Sequence, residues 1–305
     1  MNYYFLLNNN RMTAKFQYLS DIHLETHHNT SKAIFEKILK PSAPYLALCG
    51  DIGNPGAQLY ELFLEYCSNN FEHVFYIAGN HEFYNNMKSI KFLKNKEYIS
   101  KELDETSLRR LSTQFSRDTT ETRTQKIREI CKKFPNIHFL DKETFKIPNT
   151  NIIVVGCTLW SKLDIHPYKL QQFNDFHMIC EDKDTLLRPR TYDDWNEEHI
   201  KFLGTTLSKI YNESPDIKVL VLTHHCPTYD IIIEKYTTSD PENMNSFFAN
   251  KDLVSPFGKN VKAWICGHTH GCKSINVGGT IVATNTFGYK WETVEGFKAD
   301  ATLEI

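Results

Sequence analysis

Five apolar runs of strand length, residues 16–19, 45–49, 74–78, 219–222 and 263–266, each end abruptly on a short polar turn. In order, the turns read Asp21-Ile22-His23, Gly50-Asp51, Gly79-Asn80-His81-Glu82, His224-His225 and Gly267-His268-Thr269-His270. The runs are apolar almost throughout, the pattern of strands covered on both faces, as in parallel sheets flanked by helices. In open α/β sheets, ligands gather just beyond the carboxyl ends of the strands, so one fold can bring all five turns together. Two Asp, one Asn and several His then form an oxygen-and-nitrogen nest suited to first-row divalent cations.

Between the runs the apolar period lengthens. Ile34, Phe35, Ile38 and Leu39, and then Leu59, Leu62, Phe63 and Tyr66, recur at helical spacing after the first and second turns. Pro55 and Gly56 stand where the second helix is expected to start. Residues 88–134 break this βα rhythm: they are polar and helix-favouring, with roughly two basic residues for each acidic one. Ile127, Ile130, Cys131 and Phe134 make one helix face there. The expectation is a solvated helical insertion, the alternative a cap whose Lys and Arg attract an anionic substrate. Strands resume at 145–147 and 152–156, followed by a polar stretch over 160–190. A helix near 195–211 then carries Ile200, Leu203, Leu207 and Ile210 on one face. Gly278 and Gly279 turn a hairpin of residues 273–277 and 280–283.

No repeat and no linker rich in Pro, Gly or Ser divides the chain, so residues 15–305 are expected to form one domain. The Asn run and the second methionine, Met12, mark residues 1–14 as a disordered leader or an alternative start. Residues 3–7 are apolar but lack a basic flank and a small-residue cleavage pattern, so no signal peptide is expected. No stretch approaches a membrane span, and a cytoplasmic location is expected. A net charge of −2 on 305 residues gives no electrostatic ground for nucleic acid or membrane as an obligatory partner. The eight cysteines show neither a Cys-x-x-Cys pair nor zinc-finger spacing. Cys49, Cys226, Cys266 and Cys272 lie close to the turns, and are read as buried reduced thiols rather than ligands.

The turns themselves carry chemistry. A carboxylate shared by two cations screens their repulsion, and Asp51 sits in a tight glycine turn suited to that role. Asp21 and His23, alternate residues of an extended segment, can reach one ion. His268 and His270 have the same spacing and can chelate one ion or straddle two. Asn80 offers a neutral carbonyl oxygen. Two cations about 3.5–4 Å apart lower the pKa of a water they share and clamp the attacking and leaving oxygens of an in-line displacement. That is the chemistry of phosphoester hydrolysis.

In order and in context, SDIHL, GDIGN, GNHE, THH and GHTH resemble the signature of the calcineurin-like metallophosphoesterase superfamily, over most of the chain from about residue 15 to about residue 288. The resemblance implies a four-layer α/β/β/α sandwich of two mixed sheets. It implies a first divalent cation on Asp21, His23, Asp51 and His270, and a second on Asp51, Asn80, His224 and His268. Manganese heads the list of metals, followed by iron, zinc, cobalt and nickel. With Asp51, His81 is the implied catalytic residue, lying outside the ligand sphere near the scissile phosphate, where it stabilises transition-state charge or protonates the leaving oxygen. The family's ligand is the histidine directly leaving the strand, which favours His224 over His225 and leaves His225 a supporting or structural role.

Departures from relatives narrow the class. Calcineurin-type protein phosphatases carry an Arg after the second block, and Gly50-Asp51-Ile52-Gly53-Asn54-Pro55 has none. Purple acid phosphatases place a Tyr ligand where this chain has Asn54, so no ferric chromophore is expected. The nearest branch is that of the small bacterial-type phosphoesterases. The expected activity is hydrolysis of a small phosphodiester or phosphomonoester. The alternatives are a nuclease gripping its substrate through residues 88–134 and a scaffold that has lost catalysis, the latter disfavoured because every ligand is present. Candidate substrate contacts are Asn80, His81, His225, Trp160 and Arg188, with Asn174, Asp175 and Arg190 as weaker candidates and Asn285 and Gly288 at the mouth. His27 and His28 are expected to face solvent.

Overall fold

The computed structural model describes residues 13–27, 33–114, 116–233 and 244–305. His28 and residues 1–12 of the expected leader lie outside them; Ala14 exchanges both backbone hydrogen bonds with Ile305, at 2.9 and 3.1 Å. The strands are β1 Lys15–Leu19, β2 Tyr45–Cys49, β3 His73–Ile77, β4 Ile137–Phe139, β5 Glu143–Lys146, β6 Ile152–Gly156, β7 Cys180–Asp182, β8 Thr185–Leu186, β9 Lys218–Leu222, β10 Val261–Cys266, β11 Cys272–Val277, β12 Thr280–Asn285 and β13 Thr302–Glu304. One sheet runs β13-β1-β2-β3-β4, with only β13 antiparallel. The other runs β11-β12-β10-β9-β6-β5, with the two edges antiparallel.

The alternation of side chains across these strands builds the layers. Ala47, Cys49, Phe75 and Ile77 point inward from the first sheet, and meet Val154, Leu220, Leu222, Ala263 and Ile265 from the second. The first five α-helices are α1 Ala33–Ile38, α2 Gln58–Asn70, α3 Met87–Glu102, α4 Glu105–Gln114 and α5 Thr120–Cys131, and Leu46, Leu48, Val74 and Tyr76 point the other way, under α2 and α5. Val155, Val219, Val221 and Trp264 pack under Leu203 and Leu207 of the helix Pro189–Glu213. The result is the expected α/β/β/α sandwich, with the inner strands of both sheets covered on both faces and the edge strands β5, β11 and β13 partly open to solvent.

Three details differ from the expectation. The second helix starts at Gln58 rather than at Pro55, because Gly56 adopts a left-handed φ of 95° that cannot open a helix. The helix of 195–211 extends over Pro189–Glu213, started by Pro189 in its first turn, where a missing N–H costs nothing. Residues 88–134 form three helices, Met87–Glu102, Glu105–Gln114 and α5, and the last is core rather than solvated. Its Ile127, Ile130 and Cys131 are buried under the first sheet. Its buried Arg123 reaches Asn54 Oδ1 at 2.7 Å and Tyr84 O at 3.0 Å. Only Glu105–Gln114 buries no side chain.

β1, β2, β3, β9 and β10 all end at one rim of the sandwich. There an isolated parallel bridge between Ser20 and Thr286 joins the two sheets, with Ser20 N–H donating to Asn285 O and Phe287 N–H to Ser20 O.

Candidate metal centre

All five turns meet at this rim, three of them on strained backbone. Of the eight described residues other than glycine with positive φ, five are Asp21, His23, Asp51, His268 and His270. Left-handed backbone costs of order 1–3 kcal/mol per residue and persists where function requires the side-chain direction it gives. The glycines of the turns serve close approach. A Cβ on Gly79 would collide with Asp51 Oδ1 and lie 2.7 Å from His224 Cε1; one on Gly50 would lie 2.5 Å from Gly79 N.

The donor atoms fall into two groups linked through Asp51. Asp21, His23 and His270 form one and Asp51, His224 and His268 the other, while His23, Asp51 and His81 make a third set that joins them, each set with ligand atoms within 4.8 Å of one another. His23 Nε2 and His270 Nε2 are 3.0 Å apart, and Asp21 Oδ1 lies 3.7 Å from His270 Nε2. In the second group, His224 Nε2 lies 3.1 Å from Asn80 Oδ1 and 3.4 Å from Asp51 Oδ2. Asp51 Oδ2 also lies 3.8 Å from His23 Nε2 and 3.9 Å from His81 Nε2, so one oxygen faces both groups.

Surrounding groups decide which atoms face inward. Glu25 Oε1 accepts the Nδ1–H of His23, Glu292 Oε2 that of His270 at 2.6 Å, and Cys49 O that of His224 at 2.8 Å. Each imidazole therefore turns its Nε2 inward. Asn80 Nδ2–H donates to Asp175 Oδ1 at 2.8 Å and to Tyr84 Oη at 3.1 Å, which aims its Oδ1 into the site. His23 and His270 thus oppose lone pairs across 3.0 Å, and His224 Nε2 opposes the Asn80 carbonyl. The buried His268 Nε2 has no hydrogen-bond partner. A cation placed between these atoms would satisfy all of them at once. Separations of about 3.0–3.4 Å are those of neighbouring donors about 2.1 Å from a common cation. The donor set fits divalent cations.

The local field agrees. Burial lowers the basicity of His224 and His81, yet Asp51 outweighs it for His224, held up to about 10, and Asp51 with Glu25 does so for His81, held up to about 9. Burial raises the pKa of Glu25, but hydrogen bonds from His23 and His81 overcome it and hold the carboxyl at about 2. His268, buried beside His225 and His224, is pushed well below the ordinary value and stays neutral. Behind the turns the fully buried Glu82 accepts N–H groups of Asp51 (2.9 Å), Ile52 (2.7 Å) and Gly79 (2.7 Å), as well as the Tyr76 hydroxyl. It ties the second turn to the third.

A cleft of about 200 Å³ opens over this centre, lined by Asp51, Asn80, His81, His268 and His270, with Phe173, Asn174, Asp175, Phe247 and Tyr289 among its walls. Several predicted contacts lie elsewhere. Trp160, 3% exposed, packs among Phe83, Tyr192, Trp195 and His225 and borders a different cavity. His225 is fully buried and shares a hydrogen bond with the Tyr192 hydroxyl at 3.1 Å; its ring supports that of His268 at 4.1 Å. Arg188 precedes the helix Pro189–Glu213 on the surface and pairs with Glu181; Arg190 is exposed. Asn285 bridges Tyr18 O and Lys298 O instead of facing the cleft. His27 is buried beside Phe287, against the expected exposure. No cysteine joins either ligand group among the described residues.

Sequence reasoning missed Glu25, Tyr84, Tyr289 and Glu292. Tyr289 places its hydroxyl 3.2 Å from His81 Nε2, and Glu292 holds His270. The only signal for either was their position just after Gly288, at the end of the last parallel strand.

Comparison with known proteins identifies the fold and the family. An uncharacterized protein of Acanthamoeba polyphaga mimivirus, L509, is 29% identical over 304 residues, spanning 95% of this chain and 96% of that one. The structure of phosphopantetheinyl hydrolase from Mycobacterium tuberculosis shares the fold, with a TM-score of 0.61 at 14% identity over 90% of this chain and 89% of that one. No helix among the described residues is long and apolar enough to cross a membrane. The sequence profile of calcineurin-like phosphoesterases matches residues 15–272, and the chain belongs to that family of metal-dependent phosphoester hydrolases.

Proposed function

We propose that this protein hydrolyses small phosphoesters at a dinuclear centre, one cation held by Asp21, His23, Asp51 and His270 and the other by Asp51, Asn80, His224 and His268. The observation that carries this reading is the pair of inward-facing donor groups sharing Asp51 Oδ2. Two divalent cations there supply Lewis-acid stabilisation of phosphoryl oxygens and an attacking water at neutral pH.

The chain's own residues do the rest. His81 stands outside both donor groups, with its N–H bonded to Asp51 Oδ1 at 2.8 Å and its Nδ1–H to Glu25 at 2.9 Å. Its Nε2 faces the cleft and, with the pKa raised by the two carboxylates, carries a proton for the leaving oxygen. Tyr289 Oη lies beside that nitrogen and positions what leaves there. Phe173, Phe247 and Phe248 wall off water.

A small substrate suits the narrow cleft and the lack of a phosphate-gripping Arg; the buried Arg123 is already engaged by Asn54, Tyr84 and Asp118. Lys96, Arg109, Arg117 and Arg128 of residues 88–134 also pair with carboxylates, which weakens the case for that region as a nucleic-acid grip. Metal analysis of His270→Ala and His268→Ala tests the assignment. Each variant is expected to retain one cation per chain where the wild type, loaded with Mn²⁺, retains two, and both should lose turnover. A wild type that binds one cation, or variants that keep two, would overturn the dinuclear centre.

A further inference from the structure

Residues 287–292, after β12, carry no recognisable motif, yet they are bonded into the metal centre. Gly288 N–H donates to Asp21 O at 2.8 Å and Lys290 N–H to Thr26 Oγ1 at 3.3 Å. Glu292 closes the segment: its N–H donates to Tyr289 O at 2.8 Å, and its Oε2 accepts Tyr289 N–H at 2.9 Å and His270 Nδ1–H at 2.6 Å. The Tyr289 ring is thereby fixed with its centroid 4.1 Å from that of His23 and 4.7 Å from that of His270. Trp291 stacks on it, with centroids 5.0 Å and planes 16° apart, and remains 73% exposed. Trp160 and Trp264 are buried and Trp195 is half-buried.

A large ring left in water gains little burial energy on folding. Its stacking partner Tyr289 lines the cleft, and that contact supplies a reason for the ring. A phosphoester whose leaving oxygen meets His81 Nε2 has its alcohol next to the Tyr289 hydroxyl, 3.2 Å from that nitrogen, and the aromatic surface continues from Tyr289 onto Trp291. Stacking on aromatic side chains accepts any flat π-surface and needs no cation or hydrogen-bonding edge.

We propose that Tyr289 and Trp291 form a stacking platform for the leaving group, so that the preferred substrate is a phosphoester whose alcohol bears a flat ring, with nucleoside phosphates as the fitting class. The proposal rests on the hydrolytic reading above and specifies its substrate.

Adenosine 5′-monophosphate and ribose 5-phosphate present the same phosphomonoester on the same kind of alcohol and differ by the base, which makes them the matched probes. With the full-length, Mn²⁺-loaded protein, KM for the nucleotide should be at least about fivefold below that for the sugar phosphate. Trp291→Ala should bring that ratio close to one, and Trp291→Phe should keep most of it. Adenosine monophosphate should also quench the emission of exposed Trp291, an effect absent from Trp291→Ala. Equal KM values in the wild type, an undiminished ratio in Trp291→Ala, or no quenching would overturn the platform. Quenching that depends on Trp291, with neither compound hydrolysed, would uphold the platform while counting against the hydrolytic reading.

Discussion

The Glu25 carboxylate accepts the Nδ1 proton of His81 at 2.9 Å, and the same oxygen takes that of His23 at 3.0 Å. One side chain thus sets the tautomer of a proposed ligand and of the proposed proton donor together. Gln in its place keeps an acceptor for both rings but removes the charge that, with Asp51, holds the pKa of His81 up. Glu25→Gln should lower kcat by about ten- to hundredfold, the usual cost of losing such a support, with a smaller change in KM. Steady-state kinetics on a p-nitrophenyl ester checks this, and an unaltered kcat would remove Glu25 from the mechanism.

Asp175 belongs to the polar stretch from which substrate contacts were expected, and instead it holds Asn80. Its Oδ1 accepts Asn80 Nδ2–H at 2.8 Å and the Tyr84 hydroxyl at 2.6 Å. Without it the Asn80 amide can rotate and present its NH₂ to the cation. Asp175→Ala should weaken the second cation's binding by about ten- to hundredfold and spare the first. Calorimetric Mn²⁺ titration resolves the two sites; equal losses at both would contradict the assignment.

His199 gives the fold a pH dependence independent of the centre's proposed ligands. Its Nδ1 accepts Leu159 N–H at 2.8 Å, and burial, aided by Lys142, holds its pKa down at about 3. The folded state therefore binds fewer protons than the unfolded one between pH 3 and about 6.5. Stability from the neutral ring is complete above about pH 6.5 and is lost as pH falls toward 3, at up to about 1.4 kcal/mol per pH unit. His199→Asn keeps an acceptor that does not titrate. Urea denaturation at pH 7 and pH 5 should show the wild type losing its advantage over the variant at the lower pH, whereas a constant gap would refute the role.

Removal of cations should destabilise the protein, because the lone pairs of His23 and His270 face each other at 3.0 Å. Ligands that bind only the folded state raise stability with their concentration. Thermal melting after chelation should show a lower Tm that Mn²⁺ restores, and the Mn²⁺-dependent rise should be smaller in Asp51→Asn. A Tm indifferent to chelator would count against bound metal in the native protein.

Much of this centre was legible in the sequence because each proposed ligand lies within four residues of a strand end. The strand end fixes its location, and a motif of two to four residues carries the chemistry. Asp21 through His270 met as expected for that reason, and the sandwich followed from runs apolar on both faces. The supporting shell lacked such a signature. Glu25 and Asp175 sit in single short helical turns and Glu292 in a loop, and their partners lie up to 95 residues away in the chain. Trp160 and His225 misled in the opposite direction. Both follow strands near the site, but a side chain's direction depends on packing against Tyr192 and Trp195 that no local pattern records. The face of α5 was visible as Ile127, Ile130 and Cys131, while the polar composition around it hid its place in the core.

The most direct test of the central claim is hydrolysis of p-nitrophenyl phosphate and bis(p-nitrophenyl) phosphate by chelator-stripped protein reloaded with Mn²⁺, beside Asp51→Asn. Asp51 is the one carboxylate facing both donor groups, so the account predicts turnover of at least one ester that requires Mn²⁺ and is abolished in the variant. Absence of turnover with two cations confirmed bound, or full turnover in Asp51→Asn, would contradict it.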